Sequence, residues 1–225
     1  MLSLYYEFIL KEHEISFTIK EDNMNYPLFF CQHKPYYDKR EWYETYPVYE
    51  HLRMLFDNAN QKLIQHDLDL LMRNSSEIAI CGSLMLHLKS TLWGTPFSRY
   101  NIDIEYNRNF NGRKKIYVNN KDTAIICDLI VHSRGRYIAQ DNLIAIELKK
   151  EYRPEEEKQK DRNRLTALTK SNFGGNWTFN GTEFPPYVCR YILGVYYEIK
   201  EHIIFLEYYR NGSLISTQEC IWAPY

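Results

Sequence analysis

The sequence predicts an α/β domain, a mixed central sheet flanked by helices, with an aromatic-rich extension at its N-terminal side. Three observations carry this expectation. Apolar residues recur at three- and four-residue spacing over 48–72 and again over 77–92, the mark of two helices that each bury one face. Short stretches rich in branched apolar residues follow at 100–106, 123–132 and 143–149. A strongly polar helical stretch at 155–169 then leads to three more strands within 187–222. Helices, strands, a helix and strands again, in that order, call for layers of helix against sheet.

Residues 1–47 are read as the extension and 48–225 as the main domain. The first 20 residues alternate loosely, as in a strand or a pair of strands. The next segment is broken by Pro27, Pro35 and Pro47 and crowded with Tyr26, Phe29, Phe30, Tyr36, Tyr37, Trp42, Tyr43 and Tyr46. Such aromatics beside prolines pack a small core or bind a protein partner, and they are also able to stack on bases. Leu52, Leu55, Phe56, Ala59, Leu63 and Ile64 give the first helix its apolar stripe. Asn74, Ser75 and Ser76 form a cap cluster for the second, which places Glu77 in its first turn and ends before Gly94 and Pro96. Ile102 and Ile104 alternate with Asp103 and Glu105 on the next strand. Turn residues at 133–135 and 140–142 join the stretches 123–132 and 143–149 closely enough that they should be sheet neighbours. Leu165 and Leu168 settle the polar helix on the sheet, a Gly-, Asn- and Pro-rich loop spans 172–186, and Asn211-Gly212 is a hairpin signal between the last two strands.

At 225 residues, 44% hydrophobic and 25% charged, the chain has ordinary globular composition and enough length for a sizeable core. No apolar run reaches the roughly 20 residues of a bilayer span, and MLSLYYEFILKEHE lacks the basic start and cleavage site of a signal peptide, so no membrane and a cytoplasmic location are expected. Five scattered cysteines without a CxxC fit reduced thiols better than disulfides or zinc. The N-x-[ST] matches at Asn74, Asn176, Asn180 and Asn211 read as caps and turns. A zincin pair, a phosphate loop and a G-x-S-x-G nucleophile elbow are all missing from the sequence. The net charge of −1 argues against nonspecific polyanion binding by the whole surface, yet residues 99–170 carry 16 basic and 11 acidic side chains.

The residues that point to chemistry are Asp128, inside Cys127-Asp128-Leu129-Ile130-Val131, and Glu147-Leu148-Lys149. Strand alternation turns Glu147 and Lys149 to one face and Ile144, Ile146 and Leu148 to the other, with Asp128 able to meet the first pair from a neighbouring strand. Burying these charges costs several kcal/mol per ion, a rough scale, unless they are paired or coordinated. Two carboxylates with a main-chain carbonyl, here that of Leu148, make a hard oxygen site suited to Mg²⁺ or Mn²⁺. Lys149 beside it can stabilise a developing oxyanion, which suits phosphodiester hydrolysis. The other reading is a buried ion network that only fixes the fold.

The order of these residues resembles the PD-(D/E)XK nuclease superfamily, the restriction-endonuclease-like group, and in particular its small stand-alone bacterial members. The resemblance rests on Glu77 opening a helix, Glu105-Tyr106-Asn107-Arg108, the run from Asp128 to Val131 followed by His132-Ser133-Arg134-Gly135, Asn142-Leu143 through Glu147-Leu148-Lys149, and a helix from Asp161 to Leu168-Thr169. It spans roughly 48–210. Cys127 stands where the family pattern often has proline. The resemblance implies a restriction-endonuclease-like sheet and a metal-dependent nuclease with Asp128, Glu147 and Lys149 as catalytic residues, DNA favoured over RNA, with a role in defence or mobile-element biology. It implies a further metal-site acid, for which Glu77 and Glu105 compete, and a homodimer, since such enzymes often pair to cut two strands. Arg108, Lys114, Lys115, Arg134, Arg136, Lys150, Arg153, Lys160, Arg162 and Arg164 are expected to line a groove for the nucleic-acid backbone.

Overall fold

The computed structural model of the chain describes residues 46–109, 112–118, 121–137, 140–171 and 187–223, together with the backbone of three strands near the N-terminus. Those strands, β1 (Glu7–Ile9), β2 (Ser16–Glu21) and β3 (Pro27–Cys31), pair antiparallel in chain order. The side chains of the aromatic extension and the loop expected at 172–186 lie outside the described residues.

The main domain is a mixed α/β structure. Helices α1 (Tyr46–His66), α2 (Leu68–Met72) and α3 (Glu77–Leu92) precede strands β4 (Asn101–Tyr106), β5 (Arg108–Asn109), β6 (Gly112–Arg113), β7 (Lys115–Val118), β8 (Lys121–Ala124), β9 (Cys127–His132) and β10 (Asn142–Lys150). Helix α4 (Glu155–Thr169) and strands β11 (Leu193–Ile199), β12 (Ile203–Arg210) and β13 (Ser213–Ile221) complete it. Six strands form one sheet in the order β13-β12-β11-β10-β9-β4. Only β10 and β11 run parallel; the other neighbours are antiparallel. A parallel pair cannot be closed by a tight turn, and α4 lies in the crossover that joins these two.

Strands β9 and β10 alternate between two apolar layers, as their sequence requires. Leu129, Val131, Ile144, Ile146 and Leu148 pack with Leu52, Phe56 and Leu63 of α1 and Leu84 and Leu88 of α3. Ile130 and Ala145 face the other way, against Leu165 and Leu168 of α4. Ser76 caps α3 by accepting from the Ala79 amide, and Asn211 and Gly212 both take positive φ, 50° and 78°, in the tight turn between β12 and β13.

Two departures from the sequence expectation have local causes. The first helix does not continue to Met72: it breaks at Asp67, whose Oδ2 accepts from Ser83 Oγ at 2.6 Å and meets His87 Nε2 at 2.6 Å, both on α3. Those bonds tie α1 to α3 at the cost of one helical residue. The strand expected at 123–132 is divided, with Lys121–Ala124 pairing back on Lys115–Val118 as a separate hairpin and only Cys127–His132 entering the central sheet. Among the described residues no helix is long and apolar enough to cross a membrane.

Candidate active site

Ile146 pairs with Leu129 in the antiparallel β9–β10 register, so Glu147 and Asp128 stand side by side on the face covered by α4. Lys149 is two residues along on the same face. The Leu148 amide donates to Asp128 Oδ2 at 2.7 Å, which fixes that carboxylate against the neighbouring strand. Lys149 Nζ lies 3.5 Å from Asp128 Oδ2 and 3.0 Å from Asp161 Oδ2, and donates to the Leu148 carbonyl at 3.1 Å.

The fourth and fifth members come from α4. Lys158, Asp161, Leu165 and Leu168 recur at helical spacing on its buried side, which carries Asp161 into the cluster. Arg164, one turn on, bridges two acids: its Nη1 donates to Glu147 Oε2 at 2.7 Å and its Nη2 lies 3.0 Å from Asp161 Oδ1. Glu147 is 0% exposed, and its second oxygen, Oε1, accepts no hydrogen bond among the described residues.

Electrostatics follow from this burial. Burial pushes the Glu147 carboxyl well above the ordinary carboxylate range, although Arg164 opposes the shift. Burial also raises Asp128, against the pull of Lys149 and the Leu148 amide. Burial works against the charge on Lys149, but Asp128 and Asp161 outweigh it and hold the ammonium above its usual value. Lys149 is therefore a cation at neutral pH, fit to stabilise negative charge or give up a proton and unfit to act as a resting base. Burial drives the Cys81 thiol upward, with Asp128, Glu147 and Glu77 adding to the shift.

Of the two additional acids, Glu77 comes to the end of β10: its Oε1 accepts from the Lys150 amide at 3.3 Å and from Arg153 Nε at 3.0 Å. Glu105 is exposed, takes left-handed backbone with φ 50°, and joins no ion pair among the described residues. The structure thus brings Asp128, Glu147 and Lys149 together, sets Glu77 at their rim and leaves Glu105 on the surface.

The expected groove residues divide in two. Arg164 is an internal counter-ion of Glu147 and Asp161. Arg162 forks onto Glu207 through Nε at 3.0 and 3.1 Å, reaches Glu155 and lies over the Tyr196 ring. Lys150 is buried and donates to Asn74 at its carbonyl and its side chain. Arg134 binds Asp103, which also meets His132 Nε2 at 2.8 Å. Arg153 holds Glu77. By contrast Arg108, Lys115, Arg136 and Lys160 are exposed and, among the described residues, form no ion pair. Lys114 is buried against Tyr191.

Asp161 is the site residue that the motif reading alone leaves unassigned. The buried spacing of α4 would have found it. Arg164 is the residue whose role changes, from phosphate contact to partner of a buried glutamate, because its side chain points under the helix.

Among the described residues no three His, Cys, Asp or Glu side chains converge as a ready metal-ligand set; the acids are held by Arg164 and Lys149. The donor chemistry still fits a hard cation, since Glu147 Oε1 is a buried carboxylate oxygen without a hydrogen bond, next to a second carboxylate and the Leu148 carbonyl. No family model matches the chain, and neither a curated protein nor a solved structure matches it.

Proposed function

We propose that the protein is a metal-dependent nuclease that hydrolyses phosphodiester bonds, with DNA preferred to RNA, on a restriction-endonuclease-like sheet. The observation that carries this reading is the fully buried Glu147 Oε1, which accepts no hydrogen bond among the described residues, beside Asp128 and Lys149. Arg164 answers Glu147 Oε2 alone, and a bound cation would answer Oε1, whose burial is otherwise costly. The run of α3, β4, β9, β10 and α4, with Asp128 and Glu147 on adjacent strands, supports the same fold assignment.

In this reading Asp128, Glu147 and the Leu148 carbonyl hold Mg²⁺ or Mn²⁺, which supplies charge neutralisation and a more acidic bound water when present. The chain's own residues do the rest. Asp128 and Asp161 hold Lys149 Nζ charged and in place, where it faces the negative charge that builds on the phosphoryl oxygens. Arg164 keeps Glu147 Oε2 fixed and balances its charge. Glu77 anchors the end of β10 through the Lys150 amide, which keeps Lys149 from shifting along the strand.

A second reading has an observation of its own. Arg164 and Lys149 close an ion network around Glu147, Asp128 and Asp161, as a protein that keeps the fold for binding alone would need. Labelled DNA and RNA panels incubated with Mg²⁺, Mn²⁺ or chelator decide between the two. A nuclease cuts only with metal, and Lys149→Ala then cuts at least ~10²-fold more slowly while binding nearly as well, the scale of losing one electrostatic contributor. Binding without cleavage in any divalent ion favours the second reading.

A further inference from the structure

Lys114, between β6 and β7, is a buried lysine that forms no ion pair among the described residues. It is 2% exposed, donates to the Tyr191 hydroxyl at 3.1 Å, and its ammonium lies 5.3 Å and 5.7 Å from the centres of the Tyr106 and Tyr191 rings. Among the described residues no carboxylate is within ion-pair distance. An ammonium has three protons to donate, and a buried cation with one neutral acceptor is strongly unfavourable. Methionine would fill the same space without that cost.

Lys114 lines a small polar cleft, open to solvent, together with Arg108, Arg134, His132, Tyr106 and Asp141. Arg108 is exposed and forms no ion pair among the described residues. Arg134 is aligned by Asp103 and has the left-handed backbone, φ 56°, that begins the turn after β9. The single lining carboxylate is occupied: Asp141 Oδ1 accepts from Ser133 Oγ at 2.5 Å and from the Gly135 amide at 2.7 Å. Lysine and arginine side chains thus meet in one concave place, where the Lys114 ammonium is opposed only at longer range, by Asp141, Glu147 and Asp103.

We infer that this cleft is an oxyanion site that takes a phosphate group, with Lys114 and Arg108 as its binding residues and Arg134 at its rim. Three cations facing one already bonded carboxylate repel a metal ion, and a lysine point charge with arginine forks suits the several oxygens of phosphate. That the phosphate is the terminal phosphomonoester of a nucleic-acid strand rests on the nuclease reading. The oxyanion site itself rests on Lys114 and the cleft.

The test uses the full chain in chelator, so that no strand is cut, and compares three otherwise identical oligonucleotides: 5′-phosphorylated, 3′-phosphorylated and hydroxyl-ended. One terminal phosphate should raise affinity at least ~10-fold, the scale of one charge-assisted hydrogen bond. Lys114→Met should abolish that gain and Arg108→Ala should reduce it. Inorganic phosphate should compete where acetate at equal ionic strength does not. Equal affinity for all three strands, with no competition by phosphate, overturns the site even if metal-dependent cleavage is found. Conversely, saturable binding of inorganic phosphate that is lost in Arg108→Ala upholds the site even if no nucleic acid is cut, and it is then the nuclease reading that fails. Should Lys114→Met not fold, the wild-type strand comparison and the exposed Arg108→Ala variant still decide.

Discussion

The two faces of β9 and β10 are built from alternate residues of the same two strands, and they hold the protein together by different means. Toward α1 and α3, Leu129, Val131, Ile144, Ile146 and Leu148 belong to one buried apolar cluster, so each contributes through the area it removes from water. Toward α4, Ile130 and Ala145 continue the apolar layer, but further along the same face Asp128, Glu147 and Lys149 replace it with charges that must be answered by Asp161 and Arg164. The first face tolerates change in proportion to volume. The second depends on pairing, where removing one partner leaves another buried and uncompensated. Apolar burial thus dominates one side of the sheet, and buried ion pairing is added on the other.

The sharpest way to break this contrast is to remove an acid. Glu147→Ala or Asp128→Ala should abolish metal-dependent cleavage of labelled DNA while circular dichroism shows the fold retained, since either change also relieves the crowding of like charges among Asp128, Glu147 and Asp161. Activity at the wild-type level in either variant would remove these residues from the site.

On the opposite face Ile146→Ala should behave in the reverse manner. It deletes fully buried methyl groups and should lower stability by about 2–5 kcal/mol in urea unfolding, with cleavage per folded molecule unchanged. A large loss of activity without loss of stability would mean that the two faces are coupled.

A titratable group sits on the apolar side as well. His51 on α1 packs edge-on to Phe97 with ring centres 5.3 Å apart, and burial pushes its pKa down to about 4 from 6.5. The unfolded chain therefore takes up this proton before the folded one. Stability from neutral His51 is present above pH 6.5 and is lost as pH falls toward 4, an effect on the order of 3 kcal/mol. His51→Gln should remove that part of the acid sensitivity in melts between pH 7 and 4; an unchanged difference between the two pH values would show that His51 is solvated.

The smallest effect concerns the exposed cations near the charged face. Replacing Arg136 and Lys160 by alanine should flatten the slope of log affinity against log salt by roughly 0.7 to 0.9 per lost phosphate contact. The same change at Arg162 should cost stability instead, because its guanidinium is already bound to Glu207. A salt titration in Ca²⁺, with an unaltered slope for the Arg136 and Lys160 pair, would show that these side chains face water alone.

Much of this arrangement is legible in the chain. The periodicity over 48–72 and 77–92, the branched residues within 123–132 and 143–149, and the Asn211-Gly212 turn are local signals, and the elements form within those stretches, apart from the break at Asp67 and the division after Ala124. Asp128 and Glu147 stand out because acids in apolar strands are costly. The hairpins β5–β6 and β7–β8 are hidden, since Arg113, Lys114, Lys115 and Lys121 mask the alternation that would betray them. The break at Asp67 is hidden too, because the groups that hold it are 16 and 20 residues away on α3.

Periodicity along the chain is enough for the main helices and central strands, for which residues share a strand face, and for where charge is forced into an apolar layer. All of these depend on periods of two or 3.6 residues along the chain. Which cation answers which acid is settled in three dimensions: Arg164 serves Glu147, Arg162 serves Glu207, and Lys114 is buried with no carboxylate in ion-pair distance among the described residues. A charged side chain is long and rotatable, its partner is chosen through space among distant elements, and no spacing along the chain encodes that choice.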